Sequence, residues 1–445
     1  MNLSKALMKT KLPAIFVGAL LSLNIAAVHA DPPMPPFYAS VMKMTPEGRL
    51  GQVIKKEKIA TAIKGAQAWK IAYISSDVLG KKTISTGLLV APVGSAPKEG
   101  RPIIAWSHGT TGAAQSCGPS QIINPAVPLN EYFLVGGNSW TDYGIPRVQE
   151  FINEGYVVVA TDYQGQGGGG VHQYAVAVTQ SHDLINSVRA ASSVKEVGAG
   201  KKAVAYGWSQ GGGSVLNAAG SPEYIAQTGT AADGIEFAGF VALAPYDMAA
   251  SLPKGDIDQA TADKVMGELQ KSFSIDILSF AHFSMALYGT QAAYSNLKLS
   301  DLLTDEGVKV VQEVYGNKCV HAAADTIVFS YGKDFTRLLK PTPTNTLAWV
   351  QAFVKSSVPP VNPVAPVVIY WGTKDTTEPP IQGKLYQIQM CQSGGNVERV
   401  QLPGEQSHFT TPGVAGPFFQ EWIKDRLAGK PATNNCALAA QLPIN

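Results

Sequence analysis

The chain has 445 residues with 35 Lys and Arg against 33 Asp and Glu, so its net charge of +2 does not create the strong field of a nucleic-acid-binding protein. With 45% hydrophobic and 15% charged residues it is too apolar to be disordered, and it can bury a large core. Its 44 glycines and 29 prolines follow no fixed period, which excludes a collagen-like chain. At this length we expect one large domain with an insertion, or two domains.

The first thirty residues are predicted to be a secretory signal peptide. Lys5, Lys9 and Lys11 precede an apolar stretch from about residue 12 to 28, and small residues suited to a signal peptidase end at Ala30. Cleavage there leaves a net charge of about −1. An uncleaved anchor is the alternative, because the stretch is near the short limit for a bilayer span. No later segment approaches that length, so we expect a secreted or periplasmic protein without an integral membrane segment after cleavage.

Seven short apolar runs are predicted to be β-strands. Several are almost continuously apolar, which is typical of strands that are buried on both faces of a mostly parallel sheet. The predicted strands are Thr83–Pro92, Pro102–Ser107, Tyr156–Thr161, Ala203–Tyr206, Glu236–Ala244, Val364–Trp371 and Val397–Leu402. Helical patterns at Gln180–Glu196 and Phe418–Leu427 alternate with them. The sequence therefore predicts an α/β fold with a doubly wound sheet.

The stretch 247–345 interrupts this alternation of strands and helices. Its apolar spacing predicts several helices, among them Gln259–Phe273 and Asp276–Leu287. We therefore predict a helical cap, or lid, that is inserted between two late strands of a core formed by residues 31–246 and 346–445.

The segment from residue 203 to 220, AVAYGWSQGGGSVLNAAG, contains the G-x-S-x-G pattern of the chain. A short strand enters the pattern, and small residues that can form a helix follow it. A serine at such a sharp strand-to-helix turn needs a strained backbone with positive φ, and side chains two residues away on either side would collide. Gly207 and Gly211 remove that collision, so Ser209 is predicted to be a nucleophile. The alternative interpretation is a glycine-rich turn without chemistry.

A serine hydroxyl needs a neutral imidazole to take its proton and an acid to orient that imidazole. In hydrolases with this turn, the acid and then the histidine follow the serine along the chain. His408 lies in the loop between the last predicted strand and the last helix, whereas the other histidines of the mature chain precede Ser209 or lie in the predicted cap. His408 is therefore the predicted base. Asp375, in the turn after the preceding strand, is the predicted acid, with Glu378 and Asp247 as competitors.

An oxyanion hole for this serine needs two backbone amides. The amide of Gln210, directly after the nucleophile, is predicted to be one of them. The other is expected from the loop SHGTTG that follows the strand Pro102–Ser107, where Thr110 and Thr111 are both candidates. His108 in the same loop is interpreted as a hydrogen-bond donor that braces the loop.

The run Gly165–Gly170 satisfies the G-x-G-x-x-G pattern of dinucleotide-binding proteins. Such a fingerprint must open directly into a helix whose N-terminus meets the pyrophosphate. Here the residues VHQYAVAV follow instead, so we expect a loop beside the active site and no nucleotide cofactor. Asp162, just before the loop, is expected to pin it in place.

Four cysteines, Cys117, Cys319, Cys391 and Cys436, are present in a chain that is predicted to be exported. An oxidising compartment favours disulfides, and four cysteines permit three pairings. None of them has the spacing of a zinc site, so we predict no metal.

Several segments together resemble the secretory lipase family of the fungal lipase A type, within the α/β-hydrolase superfamily. The resemblance covers most of the mature chain. It rests on HGTTG followed by CGPS at 117–120, on TDYQGQG at 161–167, on GWSQGG at 207–212, and on GTKD and SHF near the C-terminus. Two positions depart from the family pattern, Gly118 where alanine is usual and Gln210 where the fungal type has glycine. Both departures bear on which acyl chains are preferred and not on the predicted chemistry.

The resemblance implies an α/β-hydrolase fold in which Ser209, Asp375 and His408 form the catalytic triad. It also implies a helical cap that shapes the acyl pocket, and disulfides that join Cys117 to Cys319 and Cys391 to Cys436.

Together these features predict a carboxylic-ester hydrolase, a lipase or esterase, that works through an acyl-enzyme and needs no cofactor. The expected partner is a small-molecule or lipid ester, with transient contact to a lipid interface left open and triacylglycerol among the candidate substrates. A serine peptidase or aminoacyl hydrolase could use the same triad on different substrates. A non-catalytic exported binding protein of the same fold is the alternative from another class.

Overall fold

Strands from both halves of the chain join in a single sheet. The computed structural model describes residues 34–122, 144–253 and 255–439, so the predicted signal peptide lies outside the described residues. Within these ranges nine strands pair in the order β1-β2-β3-β5-β4-β6-β7-β8-β9. They are β1 (Val53–Ile59), β2 (Ala66–Ser76), β3 (Lys82–Pro92), β4 (Arg101–Ser107), β5 (Val157–Gln164), β6 (Ala199–Trp208), β7 (Glu236–Leu243), β8 (Val367–Trp371) and β9 (Val397–Gln401).

The sheet changes from antiparallel to parallel at β5. The pairs β1 with β2, β2 with β3, and β3 with β5 are antiparallel, whereas β5 with β4 and every later pair are parallel. Because β4 and β6 lie side by side in parallel, the loops after their carboxyl ends meet at one edge of the sheet. The serine turn and the SHGTTG loop therefore come together.

The seven predicted strands are confirmed, with ends shifted by a few residues, but β1 and β2 were not predicted. The lysines and glutamate of β1 stay partly or fully exposed at the edge of the sheet. A charged edge strand of this kind lacks the apolar alternation by which strands are recognised, and charges there discourage pairing with another molecule. Its antiparallel pairing with β2 decides its conformation.

The helices separate into those that cover the sheet and those between β7 and β8. They are α1 (Pro36–Val41), α2 (Val148–Asn153), α3 (Ala177–Ser193), α4 (Gln210–Ala219), α5 (Pro222–Ile225), α6 (Gln259–Ser272), α7 (Ile277–Ala293), α8 (Asp305–Asn317), α9 (Val320–Tyr331), α10 (Thr346–Ser356), α11 (Pro380–Gln392), α12 (Thr411–Leu427) and α13 (Cys436–Ala439).

Two hydrophobic cores lie on the two faces of the sheet. On one face α3 and α4 pack through residues such as Leu184 and Leu216. On the other face α2 and α12 contribute Phe151, Phe419 and Ile423. This three-layer arrangement is the doubly wound α/β fold that the sequence predicts.

The helices from α6 to α10 share another hydrophobic core, with Phe280, Tyr315 and Trp349 among its buried residues. Tyr174 and Tyr246, which follow strands of the sheet, belong to the same cluster. The residues from Pro35 onward accordingly form one compact unit. The helices between β7 and β8 therefore pack directly on the loops at the carboxyl edge of the sheet.

Candidate active site

Ser209 occupies the sharp turn between β6 and α4. Its backbone has φ 56° and ψ −118°, a conformation that a residue with a side chain rarely adopts and that costs about 1 to 3 kcal/mol. Two backbone hydrogen bonds hold the turn, since Ser209 donates to the carbonyl of Leu243 at 2.9 Å and accepts from the amide of Tyr246 at 2.9 Å. The strain therefore persists because β7 and the residues after it lock the serine from both sides.

Gly207 and Gly211 leave room for this turn. A Cβ atom on Gly207 would lie 2.9 Å from the carbonyl oxygen of Ser107, and one on Gly211 would lie 2.7 Å from that of His108. Both would also overlap other backbone atoms, which cannot move without opening the sheet. In the folded chain, therefore, only glycine fits without a steric clash at both glycine positions of the G-x-S-x-G pattern.

His408 and Asp375 form a buried hydrogen-bonded pair. Nδ1 of His408 donates to Oδ2 of Asp375 at 2.9 Å, and the two side chains are 3% and 1% exposed. The other carboxylate oxygen of Asp375 accepts from the amides of Thr377 at 3.1 Å and Glu378 at 2.8 Å. Since a carboxylate accepts at Nδ1, the neutral imidazole carries its proton there and leaves Nε2 free to act as a base.

Trp208 holds this pair next to the serine turn. Its indole nitrogen donates to the backbone carbonyl of His408 at 3.1 Å, and the two rings lie 4.9 Å apart. Because Trp208 directly precedes Ser209, the structure brings all three predicted triad residues to the same end of the sheet.

Glu378 and Asp247, the competing acids, have other contacts. The carboxyl group of Glu378 accepts from the side-chain amide of Gln382 at 2.8 Å. Burial, and next the nearby Asp375 and Asp247, raises its pKa well above the ordinary value, which favours the neutral form. Asp247 accepts from the amide of Val358 at 3.1 Å and from that of Ala249 at 3.0 Å, which places its carboxylate against the segment after α10.

The candidate oxyanion amides lie on facing loops. Gln210 is the first residue of α4, where a helical amide has no acceptor within its own helix. The hydroxyl of Thr110 bonds to that of Tyr174 at 3.0 Å, whereas the hydroxyl of Thr111 accepts from the side chain of Gln166 at 3.0 Å. The hydroxyl groups of the two threonines therefore contact different parts of the structure.

His108 braces the same loop. Its Nδ1 donates to the carbonyl of Gly109 at 2.6 Å, and the hydroxyl of Tyr163 donates to the carbonyl of His108 at 2.8 Å. Burial lowers the pKa of the His108 imidazole to about 4, so the ring is neutral at ordinary pH. The predicted bracing role agrees with these contacts.

The glycine run Gly165–Gly170 supports the oxyanion loop. Between its first glycines the side-chain amide of Gln166 donates to the carbonyl of Gly112 at 2.7 Å, and Asp162 accepts from the hydroxyl of Thr86 at 2.8 Å. The next helix, α3, begins at Ala177 and not directly after the run, as we expected for a chain without a dinucleotide fingerprint.

Three further side chains that were not predicted from the sequence adjoin the site, those of His172, Tyr174 and Tyr246. His172 precedes the serine along the chain, whereas the histidine of the predicted triad follows it, so His172 was not a candidate base. Its Nε2 nevertheless lies 3.2 Å from the side-chain nitrogen of Gln210. Tyr174 stacks on Tyr246 with ring centroids 5.9 Å apart. An aromatic and histidine-rich stretch after a glycine run, HQY, is the only local signal that could have drawn attention to them.

Both disulfides implied by the family resemblance are present. Cys117 joins Cys319, which ties the loop after β4 to the start of α9, and Cys391 joins Cys436, which ties α11 to α13. In the described parts of the chain, no group of three or more His, Cys, Asp or Glu is placed to hold a metal ion. None of the helices in those parts is both long and apolar enough to cross a membrane.

No curated protein matches this chain. Among solved structures it is similar to lipase A of Candida antarctica, with a TM-score of 0.65 and 15% identity over 90% of this chain and 87% of that one. It is also similar to the rice cell wall degrading esterase LipA of Xanthomonas oryzae, with a TM-score of 0.61 and 17% identity over 86% of this chain and 100% of that one. These likenesses confirm the α/β-hydrolase fold. The model of the alpha/beta hydrolase family matches residues 132–412, more than half of the sequence, and the chain belongs to that family.

Proposed function

We propose that this protein is a secreted carboxylic-ester hydrolase that works through a Ser209, His408 and Asp375 triad and an acyl-enzyme. The observation that carries the proposal is the buried pair of His408 and Asp375, joined at 2.9 Å and held against Trp208, the residue before the strained serine. Family membership and the likeness to a lipase and an esterase support ester hydrolysis as the chemistry.

In this mechanism the hydroxyl of Ser209 attacks the ester carbonyl while Nε2 of His408 takes its proton. The negative charge on the tetrahedral oxygen is stabilised by the amide of Gln210 and by an amide of Thr110 or Thr111. His408 then gives the proton to the leaving alcohol, and the acyl group remains on Ser209. Water, activated by the same imidazole, attacks the acyl-enzyme and releases the acid. Asp375 keeps the imidazole oriented and stabilises its charged form.

The domain division is part of the proposal. Residues 31–246 and 346–445 would form the catalytic core, and 247–345 would form a helical cap over the acyl pocket. The helix α10 also packs into the core of the cap helices, although it lies after residue 345. Secretion rests on the predicted signal peptide and agrees with two disulfides, which persist in oxidising compartments.

A fluorophosphonate probe tests the proposal together with hydrolysis of 4-nitrophenyl butyrate. We expect the probe to label Ser209 alone, and Ser209→Ala to abolish labelling and lower kcat by a factor on the order of 10⁶. Ser193→Ala is the matched control, because Ser193 lies at the end of α3 and its hydroxyl bonds only to the carbonyl of Ala190 within its own helix. Full activity in Ser209→Ala would disprove the nucleophile.

The substrate class requires a separate comparison. The same acyl chain should be offered as an aryl ester and as an aminoacyl anilide. An ester hydrolase cleaves the first much faster, whereas a peptidase or aminoacyl hydrolase cleaves the second. A folded protein that takes up no probe and cleaves neither compound would be a binding protein.

A further inference from the structure

His282, on the cap helix α7, lies against the residues of the candidate active site. Its ring centroid is 6.3 Å from that of Tyr174, whose hydroxyl bonds to the side chain of Thr110 in the oxyanion loop at 3.0 Å. His408 also lies near enough to His282 to lower the pKa of the His282 imidazole. The imidazole of α7 therefore lies beside the tyrosine that contacts the oxyanion loop and near the proposed base.

The hydrogen bonding of His282 determines which ring nitrogen carries the proton. Nδ1 lies 2.7 Å from the backbone carbonyl of Leu278, one turn earlier in α7. A carbonyl can only accept, so Nδ1 holds the proton and Nε2 presents a lone pair. Within the described ranges no hydrogen bond to Nε2 is formed, and the His282 side chain is only partly buried. The protein therefore leaves the Nε2 lone pair unused.

The lone pair of Nε2 stays available at working pH. Burial lowers the pKa of His282 to about 4, with smaller lowering effects from His321 and His408, while the hydrogen bond to the Leu278 carbonyl and the charge of Asp276 oppose the shift in part. A neutral imidazole with Nδ1 engaged can only accept at Nε2. A hydroxyl group can donate to it, whereas an alkyl group or a second acceptor cannot.

We infer that His282 is a specificity residue for the alcohol part of the ester, where its Nε2 accepts a hydrogen bond from a second hydroxyl group of the alcohol. This inference rests on the proposed function. His408 hands its proton to the leaving alcohol, so the group nearest His408 and its neighbour on α7 is the alcohol and not the acyl chain. The favoured substrates are esters of glycols and of other polyhydric alcohols with a free hydroxyl, in preference to simple alkyl esters.

Two butyrate esters of equal size test this inference. In 2-hydroxyethyl butyrate the alcohol ends in a hydroxyl, and in propyl butyrate a methyl group takes its place. The measured quantity is the ratio of kcat/KM for the two esters, since the ratio cancels any loss that both share. We expect His282→Phe to lower the hydroxyethyl preference about fivefold, as one hydrogen bond of roughly 1 kcal/mol is lost. His282→Gln keeps an acceptor and should retain most of the preference.

Folding is checked by the melting temperature, and His282→Met serves if the phenylalanine variant does not fold. A ratio that is the same within twofold in the wild type and in a folded Phe or Met variant would overturn the role of His282 while leaving the ester hydrolase intact. A wild-type protein that cleaves neither ester nor 4-nitrophenyl butyrate would overturn the proposed function itself, and this inference with it.

Discussion

The side-chain amide of Gln210 donates to Nε2 of the buried His172 at 3.2 Å. On its other side, Nδ1 of His172 donates to the backbone carbonyl of Gln164 at 2.7 Å, so the imidazole links the strand β5 to the residue that follows the nucleophile. Burial lowers the pKa of His172 to about 4, which keeps the ring neutral and the link intact at ordinary pH. The backbone amide of Gln210 is a proposed oxyanion donor, so His172 would be a positioning residue for it.

We predict that His172→Phe lowers kcat about tenfold with little change in KM. An oxyanion donor acts mainly in the transition state, so a displaced donor reduces kcat and leaves substrate binding alone. His172→Gln restores an acceptor for Gln210 and should recover part of kcat. Steady-state kinetics on 4-nitrophenyl butyrate measure both parameters. An effect confined to KM, or a glutamine variant no better than phenylalanine, would contradict the positioning role.

Two of the three candidate acids, Asp375 and Asp247, can be separated by substitution. Asp375→Asn should lower kcat by about 10⁴, because the amides of Thr377 and Glu378 hold the asparagine oxygen and its NH2 group then donates to Nδ1 of His408, which favours the wrong tautomer. Asp247→Asn should change kcat by no more than a few-fold, since Asp247 bonds to Val358 and not to His408. Its free energy of unfolding should fall by about 1 to 3 kcal/mol, because buried donors lose their acceptor. Ester hydrolysis and urea unfolding on the two variants decide between them, and equal losses of kcat would refute Asp375 as the acid.

The two disulfides are predicted to affect activity differently. Loop-closure entropy predicts that they stabilise the fold to a similar degree, by about 5 kcal/mol for a separation of 202 residues and about 4 kcal/mol for 45. However, Cys319 pairs through its backbone with Gly112, and the next amide, of Val320, donates to the carbonyl of Thr111 at 2.9 Å. The first disulfide thus holds the oxyanion loop.

Replacing Cys117 and Cys319 by serine should therefore lower both the melting temperature and kcat. Replacing Cys391 and Cys436 should lower the melting temperature alone, because that disulfide joins α11 to α13 and makes no contact with the oxyanion loop among the described residues. Calorimetry measures the melting temperatures of the two double variants. Initial rates, taken well below both melting temperatures, measure their kcat. Equal kcat in the two double variants would show that the first disulfide has no role in positioning.

A buried histidine away from the site should make the fold sensitive to acid. The ring of His182 stacks on Tyr224 with centroids 3.6 Å apart, and burial lowers its pKa from 6.5 to about 4. As the pH falls from 6.5 to 4, the unfolded chain binds the proton before the folded one does. The free energy of unfolding therefore decreases over this interval, by at most about 3 kcal/mol for this group.

His182→Phe keeps the stacking and removes the titration. We expect it to be less stable than the wild type at pH 7, where it lacks the bond to Ser76, and to lose less stability than the wild type on acidification to pH 4. Urea unfolding at intervals between pH 7 and pH 4 measures both curves. Parallel curves would mean that His182 does not titrate differently in the folded and unfolded chains.

The amino-acid sequence by itself determined the features that depend on short-range sterics and on chain order. The turn at Ser209 follows from Gly207 and Gly211, which lie two residues away on either side, so its strain could be foreseen locally. The core strands β3 to β9 are apolar enough to be recognised without their partners. His408 and Asp375 were selected by their place after strands of a parallel sheet, whose carboxyl ends share one edge, and the structure joins them there.

Tertiary structure alone decided the contacts between segments that are distant along the chain. The charged strand β1 exists because β2 pairs with it, and no local pattern marks that pairing. His172 meets Gln210 across 38 residues of sequence, and His282 reaches Tyr174 from an inserted helix. The sequence does not indicate where the ring of a single histidine points, because the packing of the helix or loop that carries it determines the orientation of the ring. For this reason the positioning and specificity residues became visible only when the cap helices and the sheet were seen together.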